Sequence, residues 1–149
     1  MSDETPTPEL VKRTGDFPVV AAGERPTVLV LDDDFEICGA LDDVLTDAGF
    51  NVVSLPNGAL GLAHLVGHPK PAAIILDLMM PTMNGWTFAD RMRAIPDLRD
   101  IPIVVMTAVG PHWGYPAARV IRKPVNRLEL ITVLREVIYG RADASAPGL

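Results

Sequence analysis

Four short stretches of this chain end in residues that could do chemistry together. "VLVLDDDFEI" (28–37) sets Asp32, Asp33 and Asp34 directly against an apolar run. "AAIILDL" (72–78) carries Asp77 near its end, "IPIVVMT" (101–107) ends in Thr107, and "ARVIRK" (118–123) ends in Lys123. If these runs are neighbouring strands, several carboxylates converge on one pocket with a hydroxyl and an ammonium at its rim. Two unit charges about 4 Å apart repel by roughly 4 kcal/mol at an effective dielectric near 20. Ionised carboxylates crowded in this way must protonate or bind a hard cation. Oxygen ligands with room for water suit Mg²⁺ better than zinc or copper. A pocket combining Mg²⁺, a lysine and a hydroxyl is built to stabilise a phosphoryl group.

The elements that must position these residues follow a rhythm from Thr27 onward. "TVLVLD" (27–32), "FNVVSL" (50–55), "AAIILDL" (72–78), "IPIVVMT" (101–107) and "ARVIRK" (118–123) read as strands. They are continuous apolar runs, as strands covered on both faces should be. Between them, apolar residues recur at helical spacing. Phe35, Ile37, Leu41, Val44, Leu45 and Ala48 mark one helix face, opposite Glu36, Asp42, Asp43 and Asp47. Gly49 stands where a helix end favours a left-handed residue. "PNGALGLAHLV" gives a glycine-weakened helix, and a further one turns Phe88, Ala89, Met92 and Ile95 inward. The last opens at Asn126, with Glu129 three residues on as a cap partner. It runs through Leu130, Ile131, Leu134, Val137 and Ile138 to Gly140. Successive βα units demand a parallel sheet with helices on both faces. In such sheets ligands bind beyond the carboxyl ends of the strands, at the switch in strand order.

Composition narrows the function classes. The 149 residues suit one domain, and 48% of them are apolar, enough for a sizeable core. A net charge of −6 without a basic cluster argues against binding a nucleic-acid backbone. The single cysteine, Cys38, excludes an internal disulfide and reads as a small apolar filler. No apolar run approaches the length of a membrane span, and the acidic, proline-bearing start is not a secretory signal. A cytoplasmic location is the expectation. Residues 1–25 read as a flexible leader, 26–140 as the domain and 141–149 as a disordered tail.

Residues 27–139 resemble the receiver domain of two-component response regulators. The resemblance rests on "VLVLDDD", on "IILDLMMPTMNGW" with Asp77, on "IVVMTA" with Thr107 and on "RKPV" with Lys123. It implies a flavodoxin-like three-layer α/β sandwich whose five parallel strands run in the order 2-1-3-4-5. It also implies that Asp77 accepts a phosphoryl group from a histidine kinase or a histidine phosphotransfer protein. Asp33, Asp77 and the main-chain carbonyl of Met79 would bind Mg²⁺ (or Mn²⁺) directly, with Asp32 acting through water. Lys123 would pair with the phosphoryl oxygens, and the Thr107 hydroxyl would bond the phosphorylated form. The Lys123–Pro124 peptide would be cis. Asp34 is more simply a helix cap, favoured by the unpaired amides there.

The expected protein is therefore a stand-alone receiver that acts through contacts with an unknown downstream protein. It would be a phosphoryl acceptor and not a turnover enzyme. Its oligomeric state is open.

Two departures from the family pattern stand out. "AVGPHWGYPA" (108–117) holds two glycines and two prolines, which disfavours a regular fourth helix. A stub, a loop or an irregular turn is expected there. Val120 stands where receivers usually carry an aromatic switch residue. Met79 and Val109, the residues two beyond Asp77 and Thr107, are apolar and unsuited to orienting a water, which predicts slow self-dephosphorylation.

Plainer readings stand beside these. Asp77 alone could be a turn aspartate, Thr107 an ordinary strand residue and Lys123 a solvated lysine. Gly85 serves a backbone turn. His64, His68 and His112 read as ordinary surface or core histidines, and Met79, Met80 and Met83 as packing residues. A degenerate receiver that signals without phosphorylation is the alternative within the family. A haloacid-dehalogenase-type phosphatase with Asp32 as nucleophile is the alternative outside it, though Glu36 and the missing closing acidic pair depart from that pattern.

Overall fold

In the computed structural model, residues 25–108 and 119–140 are described. Five strands are present, β1 (Thr27–Leu31), β2 (Asn51–Leu55), β3 (Ala73–Asp77), β4 (Ile103–Thr107) and β5 (Arg119–Arg122). They form one parallel sheet in the order β2-β1-β3-β4-β5. Four helices are described, α1 (Phe35–Asp47), α2 (Gly58–Gly67), α3 (Gly85–Arg93) and α4 (Arg127–Tyr139). This is the flavodoxin-like sandwich expected from the sequence. The strands are one or two residues shorter than their apolar runs. The expectations for the leader, the tail, and the stub or turn around Val109, His112, Trp113 and Tyr115 fall outside the described residues.

Alternation along the strands builds two cores, one on each face of the sheet. Leu29 and Leu31, Ile74 and Leu76, and Ile103 and Val105 pack with Leu65 of α2 and with Phe88 and Met92 of α3. Val28 and Val30, Ala73 and Ile75, and Val104 and Met106 pack with Leu41 and Leu45 of α1 and Leu130, Val133 and Leu134 of α4. Every residue of β3 and β4 is buried, as central strands should be. β2 lies at the sheet edge, as the strand order implied by the resemblance requires, and its residues are half-buried or exposed where a strand covered on both faces would be buried.

Helix ends follow local chemistry. Asp34 caps α1, its carboxylate accepting the amides of Glu36 at 3.0 Å and Ile37 at 3.2 Å. Asn57, Asn84 and Asn126 cap the other three helices through their side-chain oxygens. Gly49 beyond α1 and Gly140 beyond α4 take positive φ values of 102° and 90°, which a residue without Cβ adopts at no steric cost.

Phe35 corrects the sequence reading of α1. It was assigned to the inward face but is 90% exposed. As the first helical residue it stands beyond the sheet's carboxyl edge, where no core surface faces it. Cys38 matches its assignment: it is half-buried against the core, with its Sγ 3.3 Å from the Asp32 carbonyl oxygen.

Two glycines make opposite predictions about stability. A Cβ on Gly61 would lie 2.8 Å from a Leu31 methyl, because α2 packs closely over β1, whereas a Cβ on Gly39 would meet nothing within 4 Å. Urea unfolding of Gly61→Val is expected to show a loss of about 1–3 kcal/mol, the scale of overpacking. Gly39→Ala is expected to gain about 0.5–1 kcal/mol, the helix-propensity difference.

Candidate functional site

Strand register brings the sequence-predicted residues to one end of the sheet. Leu31 pairs with Leu76, so Asp32 and Asp77 come level at adjacent strand ends. Alternation then selects the face. Asp32 continues the series Val28–Val30, Asp77 continues Ala73–Ile75, and Lys123 continues from Ile121, all of which pack toward α1 and α4. Among the described residues, the buried polar or charged side chains are Asp32, Asp77 and Thr107. All three lie at strand carboxyl ends.

Lys123 ties the carboxylates together. Its Nζ lies 3.1 Å from Asp32 Oδ2 and 3.6 Å from Asp77 Oδ1. Asp32 has both oxygens engaged, since Oδ1 accepts the amide of Asp34 at 2.9 Å. Asp77 Oδ1 also accepts the Met79 amide at 3.3 Å. Asp33 is exposed, yet carboxylate oxygens of Asp32, Asp33 and Asp77 fall within 4.8 Å of one another. Thr107 closes the neighbouring strand, and its main-chain oxygen accepts the Lys123 amide at 2.9 Å. The Lys123–Pro124 peptide is cis, as the resemblance implied.

Electrostatics in the pocket are uneven. Burial pushes the Asp77 carboxyl above the usual carboxylate range, and the Asp32 charge adds to this; Lys123 and the Met79 amide pull the other way without winning. Burial pulls the Lys123 ammonium down, but its hydrogen bond with Asp32 and the two carboxylate charges outweigh that and raise it. Burial and the Asp32 charge likewise push the Cys38 thiol up, away from thiolate reactivity.

An oxygen-only donor set of three carboxylates, one of them solvent-facing, fits a hard divalent cation that keeps several waters. With Asp32 occupied by Lys123 and the Asp34 amide, Asp33 and Asp77 are the carboxylates with oxygens to offer. Asp32 is for the same reason poorly placed as the nucleophile of a dehalogenase-type phosphatase.

The loop after Asp77 has features that composition did not reveal. It closes where the Gly85 amide donates to the Leu78 carbonyl at 2.9 Å. A Cβ on Gly85 would sit 2.8 Å from both the Asp77 oxygen and Leu78 Cα, so only glycine allows this approach. Within the loop Thr82 has φ 69°, and the Met83 amide donates to Pro81 oxygen at 2.6 Å across it, a tight three-residue turn. A β-branched residue in the left-handed region costs about 1–3 kcal/mol. The sequence signalled Gly85 only as a turn and Thr82 not at all.

The fold, the carboxylate trio and the lysine define a receiver, and the comparisons with known proteins agree. The chain belongs to the response regulator receiver domain family of two-component signalling, whose family model matches residues 28–135. It is similar to the DNA-binding dual master transcriptional regulator RpaA of Synechocystis, 36% identical over 85 residues, covering 57% of this chain and 35% of RpaA. It is similar to the transcriptional regulatory protein PrrA of Mycobacterium tuberculosis, 35% identical over 83 residues, covering 56% of this chain and 34% of PrrA. The chain thus spans about a third of the length of these relatives. A response regulator receiver protein from Sinorhizobium medicae superposes with a TM-score of 0.71 at 27% identity, covering 79% and 98% of the two chains. The receiver domain of the sensor histidine kinase PA1611 from Pseudomonas aeruginosa, with a magnesium ion coordinated in its active site cleft, superposes at 0.73 and 20% identity, covering 78% and 99%. At that identity it speaks for the fold alone.

The Asp77 shift predicts a pH-dependent stability difference. A carboxyl whose folded pKa is raised contributes fully below its unfolded value, near 3.9, and that contribution is lost as pH rises through the folded value. Ionised Asp77 therefore destabilises the metal-free protein at neutral pH. In EDTA, Asp77→Asn is expected to raise unfolding stability by about 1 kcal/mol at pH 7, an ordinary single-substitution scale. The difference should shrink as pH falls toward 4. An unchanged or lowered midpoint at pH 7 would show that Asp77 is not held at a cost.

Proposed function

We propose that this receiver takes a phosphoryl group onto Asp77 from a phosphohistidine of a kinase or phosphotransfer partner, in a reaction that needs Mg²⁺ or Mn²⁺. The observation that carries this reading is the position of the Lys123 ammonium, within 3.6 Å of Asp77 and 3.1 Å of Asp32, beside a solvent-facing Asp33. Asp33, Asp77 and the Met79 main-chain carbonyl would hold the cation, and Asp32 would reach it through water. The cation, when bound, supplies charge neutralisation for the incoming phosphoryl oxygens. Lys123 would pair with the same oxygens, and the Thr107 hydroxyl would bond the product form. Catalysis of this kind is positioning plus charge stabilisation, and the protein is itself the acceptor and not a turnover enzyme.

The partner must bring a histidine to a recessed carboxylate. An apolar groove of about 280 Å³ beside Lys123 supports such docking, lined by Ile37, Leu41, Val44, Pro124 and Leu130. Phe35 stands exposed at the same end of α1. Output through a protein contact made by these residues is the reading we favour, in the cytoplasm. RpaA is by its name DNA-binding, but this chain matches only part of it and has a net charge of −6.

A second reading, signalling without phosphorylation, draws on Val120, which is 44% exposed on β5 and has no ring to bury. The experiment that separates the two is intact-mass measurement after incubation with Mg²⁺ and a small acyl phosphate donor. One added phosphoryl group is expected, absent in Asp77→Asn and with EDTA. The adduct should decay slowly, because Met79 offers no group to orient water. Failure of the wild-type protein to gain mass from the small donor or from a phosphorylated histidine partner would favour the phosphorylation-independent reading.

A further inference from the structure

The loop between Asp77 and α3 is pinned at more points than its length requires. Gly85 returns to within hydrogen-bond distance of Leu78, Asn84 caps α3 through the Thr87 amide at 2.9 Å, and Met80 is buried. Met83 packs against the α2–α3 core, with its thioether 3.1 Å from where a Gly58 Cβ would lie. Between the two inward methionines, Pro81 and Thr82 stay exposed. Between these two inward methionines the chain reverses sharply at Thr82, at φ 69°.

Thr82 is the wrong residue for stability at this place. Glycine adopts the left-handed region freely and asparagine tolerates it, whereas a β-branched side chain is confined to a narrow well there. Its side chain is exposed, so packing does not account for it. What a β-branched residue does supply is stiffness. With both sides of the turn anchored, threonine leaves the loop one conformation, and a glycine would leave it several. The loop begins at Asp77 and carries Met79, whose amide holds Asp77 Oδ1 at 3.3 Å. A loop already ordered loses no conformational freedom when a cation binds beside it.

We propose that Thr82 is a positioning residue. Its strained turn fixes the Met79 backbone against Asp77, so that cation binding and phosphoryl acceptance act on a preset loop, and the protein gives up folding stability for this. This rests on the receiver chemistry proposed above.

The test compares wild type, Thr82→Val, Thr82→Asn and Thr82→Gly in three measurements on the full chain. These are the urea midpoint in EDTA, Mn²⁺ affinity from loss of the free-ion electron paramagnetic resonance signal, and the rate of mass gain from an acyl phosphate. Thr82→Val should behave as wild type. Asparagine and then glycine should raise the urea midpoint in EDTA. Glycine should weaken Mn²⁺ binding and slow phosphoryl acceptance by roughly 3–10-fold, the opposite of what a merely structural residue would do. A glycine variant that is more stable and binds Mn²⁺ as tightly as wild type would overturn the proposal and leave the receiver chemistry standing. A glycine variant that is less stable would overturn it too, because the turn would then not be strained. Wild type that neither binds Mn²⁺ nor gains mass would instead remove the receiver chemistry, and this proposal with it.

Discussion

Two carboxylates buried side by side at the ends of adjacent strands would repel each other strongly, and one ammonium makes the arrangement possible. Lys123 reaches Asp32 at 3.1 Å and Asp77 at 3.6 Å, while its own amide is held by the Thr107 carbonyl. A buried charge without such compensation costs several kcal/mol, so the pocket depends on β5 delivering Lys123 to the ends of β1 and β3. One lysine cannot fully serve two aspartates. It sits closer to Asp32, and burial leaves Asp77 with its carboxyl pushed up. The unequal sharing leaves the recessed Asp77 as the less compensated of the two carboxylates.

The rest of the architecture serves that pocket by parity and by close approach. Period-two alternation puts Asp32, Asp77 and Lys123 on the α1/α4 side of the sheet, continuing rows that are apolar for the length of the strands. Asp34 then starts α1, and its own amide bonds Asp32. Gly85 lets α3 begin against the backbone of Asp77 and Leu78. A helix starting any farther away would lengthen the loop that carries Met79.

Strand positions, the helix caps Asp34 and Asn126 and the identity of the converging side chains were legible in the sequence because each depends on local chemistry, whereas strand order came from the family resemblance. Apolar runs ending in Asp or Lys, Asn or Asp before a helix, and glycine after one are signals within a few residues. Phe35 was misread because periodicity marks a helix face without saying where the sheet stops beneath it. β2 stands at the edge where the resemblance put it, but its apolar run did not reveal that its residues would be half-buried or exposed. Thr82 was silent for a related reason. Its backbone is set by where Met80, Met83 and Gly85 must go, and no propensity of threonine announces a left-handed turn.

Carboxylates crowded in this way are held at a cost, which a bound divalent cation would relieve. The most direct measurement is the urea midpoint of wild type and Asp77→Asn at pH 7 over a series of Mg²⁺ concentrations. A ligand that binds only the folded state stabilises it by RT ln(1 + [L]/Kd), about 2.7 kcal/mol at a hundredfold excess over Kd. Mg²⁺ is expected to stabilise wild type along this curve and to leave Asp77→Asn nearly unmoved. Equal responses in the two proteins, or none in wild type, would contradict this expectation.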